Sequence, residues 1–425
     1  MIVAYTIFNI LIAWMAKRQF KKAFNPVTLY AIVWEVAIML HESGLIRYYP
    51  LTMLCWAMIF IFELVFFLGC VLGHRTIFLG ITNETKTIAD PDLEKKYLIK
   101  WIVITLIISG IGIVGSLLKA IQLYGTNLLA QTTNIYANRV YNNEDLEFIP
   151  YIGSFIYIEM ALAGIYLKKY GFNILLVWGF VLTFFSALTS GGRAGIVFNA
   201  IIFISAYLLS NTDRKIKHIS GKQKILFAII IVALVLMINI ITNQRVAGIS
   251  LTFATERFIG IFGNNVAVYK IISYIANPIG TLNEYLKVRT FSFGQNTFLP
   301  IYNILARFKN INRVNQYQED FFTPMRCNVG TWIRELIEDF TIPGAIFFAL
   351  VFAFAVGYQY REAQYKNTNS HIVVSSALIM IMTLSFFDWK FRTSGLWIAI
   401  FLGYFIGRNI DHKCRILVND IPVEG

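Results

Sequence analysis

The stretch LTMLCWAMIFIFELVFFLGCVL (Leu51–Leu72) indicates the fold class of this chain, because Glu63 is its single charged residue. A helix rises about 1.5 Å per residue, so a run of this length crosses the roughly 30 Å hydrocarbon core of a bilayer. Inside lipid no water is present to bond the backbone, and a helix satisfies its own polar groups. The stretch therefore predicts a transmembrane helix.

Similar apolar runs recur along the chain and predict an all-α, polytopic helical membrane protein with about eleven transmembrane helices. The chain is 57% hydrophobic and 14% charged, and it lacks the alternating pattern of a β-barrel. The other predicted spans are Ile2–Ala16, Val27–Leu40, Trp101–Leu118, Ile149–Leu167, Asn173–Leu188, Ala194–Leu209, Ile225–Ile241, Pro343–Tyr358, Ile372–Phe387 and Leu396–Ile406.

The distribution of lysine and arginine predicts the topology. With the N-terminus outside, the inner segments hold 21 of the 37 basic residues and the short outer loops hold six. We expect an N-terminal bundle of about eight spans over 1–242 and a large extracytoplasmic loop with interfacial helices over 243–342. About three C-terminal spans and a cytoplasmic tail then occupy 343–425.

Arginine and lysine divide unequally between the two predicted faces. The inner segments hold 6 arginines and 15 lysines, whereas the outer segments hold 11 arginines and 5 lysines. Topology requires only positive charge, but the arginine fork binds phosphate in a bidentate manner. The asymmetry favours an anion-binding outer face, with pairing to lipid headgroups as the alternative. The net charge of +13 lies between spans rather than on one soluble domain, so no nucleic-acid partner is expected.

The long loop contains an amphipathic pattern near its start. Phe258, Phe262, Val266, Tyr269 and Ile272 recur at spacings of four and three, which predicts one apolar helical stripe. Such a helix lies on the membrane surface or packs against the bundle.

A second helix is predicted near the end of the loop, through Thr331–Asp339, with Asn328 as its cap. Arg334 then pairs with Glu338, and Glu335 shares a face with Asp339. Two carboxylates one turn apart repel each other, so one of them is a candidate base. A solvated helix face is the ordinary alternative for such a pair.

Two short motifs lie beside predicted spans. The first is Ser190-Gly191-Gly192-Arg193-Ala194-Gly195. The second is Asn328-Val329-Gly330-Thr331, followed by Glu338-Asp339-Phe340 and Pro343-Gly344. Both resemble motifs of bacterial O-antigen and capsular polysaccharide repeat-unit polymerases, although the usual glycine after Asp-Phe is Thr341 here. The predicted layout, with one large outer loop late in the chain, is also similar.

The resemblance implies a C-type membrane glycosyltransferase in the bacterial cytoplasmic (inner) membrane, with its active site facing the periplasm or cell exterior. Such an enzyme transfers a growing glycan from one undecaprenyl diphosphate onto a repeat unit carried by another, and so builds O-antigen, capsule or exopolysaccharide. It implies no cofactor and no metal. The implied partners are the undecaprenyl-diphosphate-linked oligosaccharide, the lipid bilayer, and a chain-length regulator and a flippase of the same pathway.

Preorganised positive donors stabilise a diphosphate leaving group. The candidates for this role are Arg193, Arg245, Arg257, Arg139 and Arg334. Arg193 comes first, because two glycines allow its turn to approach a ligand closely. The remaining catalytic candidates are Asp339 or Glu335 as the base, with Asp388 beside Lys390 as an alternative, and the sugar-stacking candidates are Trp332, Tyr317 and Trp389.

Carboxylates within or near the apolar spans keep another class of function open. Glu35, Glu63 and Glu159 occupy such positions, where charges are costly and commonly functional. They favour a flippase or transporter, although no inverted repeat is visible in the sequence. The other alternative is an O-antigen ligase-type enzyme with the same donor, but the segment 243–342 contains no histidine to serve as a base.

Overall fold

The computed structural model describes residues 1–76, 88–141, 146–211, 251–309, 314 and 319–416. Within these ranges the structure is almost entirely helical, which confirms the all-α prediction. The helices are α1 (Ile2–Phe20), α2 (Pro26–Glu42), α3 (Met53–Arg75), α4 (Pro91–Tyr124), α5 (Leu128–Tyr141), α6 (Phe155–Tyr170), α7 (Leu175–Ser190), α8 (Ala194–Leu209), α9 (Glu256–Phe262), α10 (Val266–Val288), α11 (Leu299–Lys309), α12 (Trp332–Lys366), α13 (Asn369–Thr383) and α14 (Ser394–Lys413). Two antiparallel strand pairs accompany them, β1 (Ile88–Ala89) with β4 (Arg415–Ile416) and β2 (Phe321–Phe322) with β3 (Arg326–Cys327).

Three of the described helices, α3, α4 and α12, are long and apolar enough to cross a membrane. The helices α7, α8 and α13 are apolar but shorter. The predicted span Ile225–Ile241 lies outside the described residues. Helices of membrane-spanning length are therefore present, while the count of eleven spans stays a prediction.

The chain divides into two compact units that interleave along the sequence. The first unit comprises Met1–His74, Arg245–Tyr358 and Ile381–Ser394, and the second comprises Arg75–Gln244, Gln359–Met380 and Gly395–Gly425. The long loop is grouped with the N-terminal helices by its contacts, and the expected topological boundaries at 242 and 342 stay predictions.

The start of the long loop packs onto the connection between α2 and α3. Ile46 and Ala254 form an antiparallel bridge, and Phe258 and Tyr269 are buried in the same apolar cluster. The predicted single stripe is wrong in one respect: Gly263, at φ +58°, ends α9, and Asn265 then caps α10. The stripe thus forms two helices that pack against the bundle.

The helix α12 begins at Trp332, one residue after the predicted start at Thr331. The hydroxyl Oγ1 of Thr331 accepts a hydrogen bond from the backbone N–H of Arg334 at 3.3 Å, so Thr331 performs the capping that was predicted for Asn328. At Thr341 the backbone leaves helical geometry, with φ +61° and ψ 173°, and divides α12 into a short polar helix and a long apolar one. Glycine almost alone adopts this conformation easily.

Glycines bring α3 and α12 into close backbone contact inside the first unit. A Cβ atom at Gly69 would lie 2.7 Å from the Leu350 carbonyl oxygen. A Cβ at Gly73 would overlap the Phe354 carbonyl, and one at Gly357 would overlap that of Cys70. Small residues at helix interfaces permit this approach in membrane proteins, and the packing fixes the apolar part of α12.

Candidate functional site

The Arg193 turn lies between α7 and α8 in the second unit. Gly191 adopts φ +57°, and a Cβ atom there would lie 2.6 Å from the backbone oxygen of Thr132 in α5. Only glycine fits both the conformation and the contact. The Ser190 hydroxyl accepts a hydrogen bond from the Gly192 N–H at 3.2 Å and closes the turn. The two-glycine motif therefore seats this turn directly on α5.

The turn places Arg193 at the N-cap of α8, where the side chain is half-buried. The first N–H groups of a helix point outward and carry partial positive charge, which favours an anion. A Cβ atom at Gly195 would meet no atom of the described residues within 4 Å, so this part of the structure leaves the space beside the first turn of α8 open. Arg193 thus lies at a helix end that an oxyanion can reach.

The same packing brings the helix that carries Arg139 to the turn. Tyr136 of α5 has its backbone nitrogen 3.0 Å from a Cβ built at Gly191, and Arg139 follows one turn later. The side chain of Arg139 lies outside the described residues. The backbone nevertheless places two of the five predicted anion-binding positions on neighbouring elements of the second unit.

The first unit holds a second candidate site, a buried charged cluster at the polar end of α12. It consists of Arg334, Glu335, Glu338, Asp339, Asp388, Lys390 and Arg392. The predicted pairing of Arg334 with Glu338 is present, at 3.9 Å. The solvated helix face that the sequence left open for Glu335 and Asp339 is wrong, because both side chains are buried.

Glu335 is enclosed by the segment that precedes α14. One carboxylate oxygen accepts the Trp389 backbone N–H at 3.2 Å, and the other lies 3.4 Å from Nη1 of Arg392. A buried charge needs such partners to offset its desolvation. Glu335 is therefore an internal ion-pair partner rather than an open base.

Asp339 holds the segment between α10 and α11. Its Oδ1 accepts bonds from the Ser292 hydroxyl at 2.6 Å and the Asn296 N–H at 2.9 Å, and its Oδ2 accepts the Thr297 N–H at 2.6 Å. Asp339 is thus a structural acceptor, because both of its oxygens are engaged by protein donors.

Asp388 differs from these two carboxylates. Its Oδ2 accepts a bond from Lys390 Nζ at 2.5 Å, while its Oδ1 lacks a hydrogen-bond partner among the described residues. Burial raises the pKa of the Asp388 carboxyl, but Lys390 and Arg392 beside it outweigh this effect and hold the pKa below its ordinary value. Asp388 is therefore held by the cations of the charged cluster, and its second oxygen is buried.

Arg334 does not face the surface. Its guanidinium lies over the rings of Phe321 and Tyr285, at 4.7 and 5.5 Å, and Nη2 donates to the Glu319 carbonyl at 3.3 Å. The side chain is 1% exposed, so a diphosphate cannot reach it in this conformation. The structure corrects its predicted role from ligand binding to support of the loop.

The two tryptophans of the region are also internal. Trp332 is fully buried and donates its indole N–H to the Tyr30 hydroxyl at 3.1 Å, and Trp389 donates to the Thr297 hydroxyl at 3.0 Å. Their rings are 5.8 Å apart. Neither ring offers a face to a sugar, which overturns the predicted stacking role of Trp332, and Tyr317 lies outside the described residues.

The remaining arginine candidates have separate outcomes. Arg257 is exposed on α9 and donates from Nη1 to the Ser43 carbonyl at 2.7 Å, which ties the long loop to the end of α2. Arg245 lies outside the described residues. Arg257 therefore has a structural contact and also remains reachable by a ligand.

An open groove of about 450 Å³ adjoins the charged cluster. Apart from Asp339 and Gly344 its lining is entirely phenylalanine, from Phe291, Phe293, Phe340, Phe347 and Phe348. Sugar sites need many polar groups to pair with hydroxyls, whereas this lining suits an apolar chain.

Sequence reasoning missed the role of Arg392 as the ion-pair partner of Glu335. The two residues are far apart in the chain, and the only sequence signal was the unusual density of charge in Asp388-Trp389-Lys390-Phe391-Arg392 beside a predicted span.

No protein-family model, characterised protein or solved structure matches this chain.

Proposed function

We propose that this protein is a membrane glycosyltransferase that polymerises undecaprenyl-diphosphate-linked oligosaccharide repeat units on the outer face of the bacterial cytoplasmic membrane. The Arg193 turn is the observation that carries the proposal, since it combines an arginine, an open helix N-terminus and the neighbouring helix that carries Arg139. The C-type architecture with about eleven spans belongs to the same proposal.

The diphosphate of the donor would be held at the Arg193 turn. A leaving lipid diphosphate gains negative charge as the glycosidic bond breaks, and donors already aimed at it lower the barrier. Arg193 contributes a bidentate fork, and the N-terminus of α8 contributes fixed N–H dipoles. No metal is required for this role, because these groups carry the positive charge themselves.

None of the carboxylates of the charged cluster is assigned to the acceptor hydroxyl. The oxygens of Asp339 and Glu335 are engaged by protein donors, and Oδ1 of Asp388 is buried. The phenylalanine groove suits the isoprenoid part of a lipid carrier.

The test is reconstitution of the purified protein in lipid with a synthetic undecaprenyl-diphosphate oligosaccharide and EDTA. A ladder of lengthened products is expected from the wild type. Arg193→Ala should lower the rate by about 10²–10³-fold, as does the loss of one preorganised donor. Arg193→Lys should restore little of it, because an ammonium cannot reproduce the fork.

Matched variants separate positioning from folding. Gly191→Ala should lose the ladder as Arg193→Ala does, because its Cβ collides with α5 and displaces the turn. Gly260→Ala, at a site with open space and ordinary helical geometry, should keep it. A wild-type ladder from folded Arg193→Ala would refute the assignment. Transfer to a lipid A-type acceptor alone would indicate a ligase, and movement of unreacted lipid-linked sugar across the bilayer would indicate a flippase.

A further inference from the structure

A carboxylate without a hydrogen-bond partner lies in the interior of the second unit. Glu159 on α6 is fully buried, and both of its oxygens lack a hydrogen-bond partner among the described residues. Gly179 of α7 makes room for it, since a Cβ atom at that position would overlap the carboxylate. A glycine on the facing helix thus accommodates the carboxylate of Glu159.

Among the described helices that pack around Glu159, no cation reaches this carboxylate. The helices α7 and α8 contain no charged residue between Leu175 and Ser190 or between Ala194 and Leu209. On α6 the cations are Lys168 and Lys169, nine and ten residues along, and Lys169 pairs with Glu94 of α4 at 2.7 Å. The other charges of α4 and α14 lie toward the helix ends, at Asp92, Lys95, Lys96, Lys100 and Lys119 and at Arg408, Asp411, His412 and Lys413.

Helices α7 and α8 carry further hydrogen-bond acceptors in the interior of the second unit. Thr183, one turn beyond Gly179 on α7, receives a hydrogen bond from Nδ2 of Asn199 on α8 at 3.0 Å. The Oδ1 atom of Asn199 is buried and has no hydrogen-bond partner among the described residues. Three helices therefore present carboxylate, amide and hydroxyl oxygens to the interior, which is the ligand chemistry of a small hard cation.

We infer that Glu159 is the centre of a binding site for a small monovalent cation, either a proton or Na⁺. An ionised carboxylate in an apolar interior without a partner costs more than the whole stability of a typical protein, so the charge must be neutralised. Within the described part of the unit, only a bound proton or metal cation can do this. The inference is independent of the proposed glycosyltransferase function, because it requires no glycan or lipid carrier.

The experiment is labelling of the full-length protein in lipid with dicyclohexylcarbodiimide, an apolar reagent that reacts with protonated buried carboxyls. In KCl the peptide containing Glu159 should be modified at about pH 5.5, and the yield should fall about tenfold per unit of pH above the midpoint of titration. Glu159→Gln should abolish the label on this peptide. Glu94, which is paired with Lys169, serves as the unlabelled control in the same sample.

Replacing KCl by NaCl separates the two cations. Protection of Glu159 by NaCl, together with a rise in Tm that Glu159→Gln does not show, identifies Na⁺ as the ligand. Equal labelling in both salts identifies the proton. Absence of the label in both salts from about pH 5.5 to pH 9, in protein that unfolds cooperatively, would overturn the inference, because it would mean that a cationic partner keeps Glu159 ionised.

Discussion

Replacing Thr341 by glycine should stabilise the protein, although it removes side-chain atoms and increases the conformational freedom of the unfolded chain. Thr341 interrupts α12 at φ +61° and ψ 173°, a region that a β-branched residue adopts only with strain. Its side chain is exposed, so the substitution sacrifices little buried surface. The backbone strain is therefore the main quantity that changes.

The magnitude follows from two opposing terms. Strain at such a position costs about 1–3 kcal/mol. The greater freedom of glycine in the unfolded chain offsets about 0.4–1 kcal/mol of the relief. We expect a net gain of about 1 kcal/mol for Thr341→Gly. Thr341→Ala keeps a Cβ atom and hence the strain, so it should show no gain.

Thermal unfolding in detergent micelles, followed by tryptophan fluorescence, measures this difference. The buried indoles of Trp332 and Trp389 report on the packing next to the kink. The glycine variant should unfold at a temperature about 1 °C above that of the alanine variant, since a chain of this length has a large unfolding entropy. Equal unfolding temperatures for the two variants would refute the argument, since it would show that the backbone at this position carries no strain that a Cβ atom creates.

The other predictions concern the two candidate sites. Asp339→Asn should destabilise the first unit by about 3 kcal/mol, because an amide cannot accept all three hydrogen bonds. Limited proteolysis of this variant should then cut between α10 and α11. In the control variant Glu338→Gln the same segment should stay protected. Arg392→Met should lower the free energy of unfolding by about 3–5 kcal/mol, because it leaves Glu335 buried and unpaired. The double variant Arg392→Met with Glu335→Leu should recover most of this loss, as measured by chemical denaturation. Gly195→Ala should leave the unfolding temperature unchanged, since its Cβ meets no atom of the described residues. It should nevertheless raise the KM for the lipid-linked donor, and an unchanged KM would place the donor elsewhere.

The sequence alone determined the helical class and much of the helix placement. Bilayer-length apolar runs fix α-helix, because the backbone has no other way to pair its polar groups in lipid. The prediction Ala194–Leu209 agrees with α8 at both ends, since the two glycines before it mark a turn that apolar periodicity alone cannot place. The pairing of Arg334 with Glu338 was also predictable, because residues four apart on a helix are neighbours whatever the rest of the fold does.

Only the tertiary structure decided which charged groups are buried and with what partners. Spacing along a helix cannot reveal that Glu335 contacts Arg392, or that Asp339 holds Thr297, because these contacts join segments that the chain separates. The same holds for Gly191, whose contact with α5 explains why that turn needs glycine. Local sequence specifies periodicity and turn chemistry, whereas the burial that turns a solvated carboxylate into an ion pair depends on the packing of distant elements.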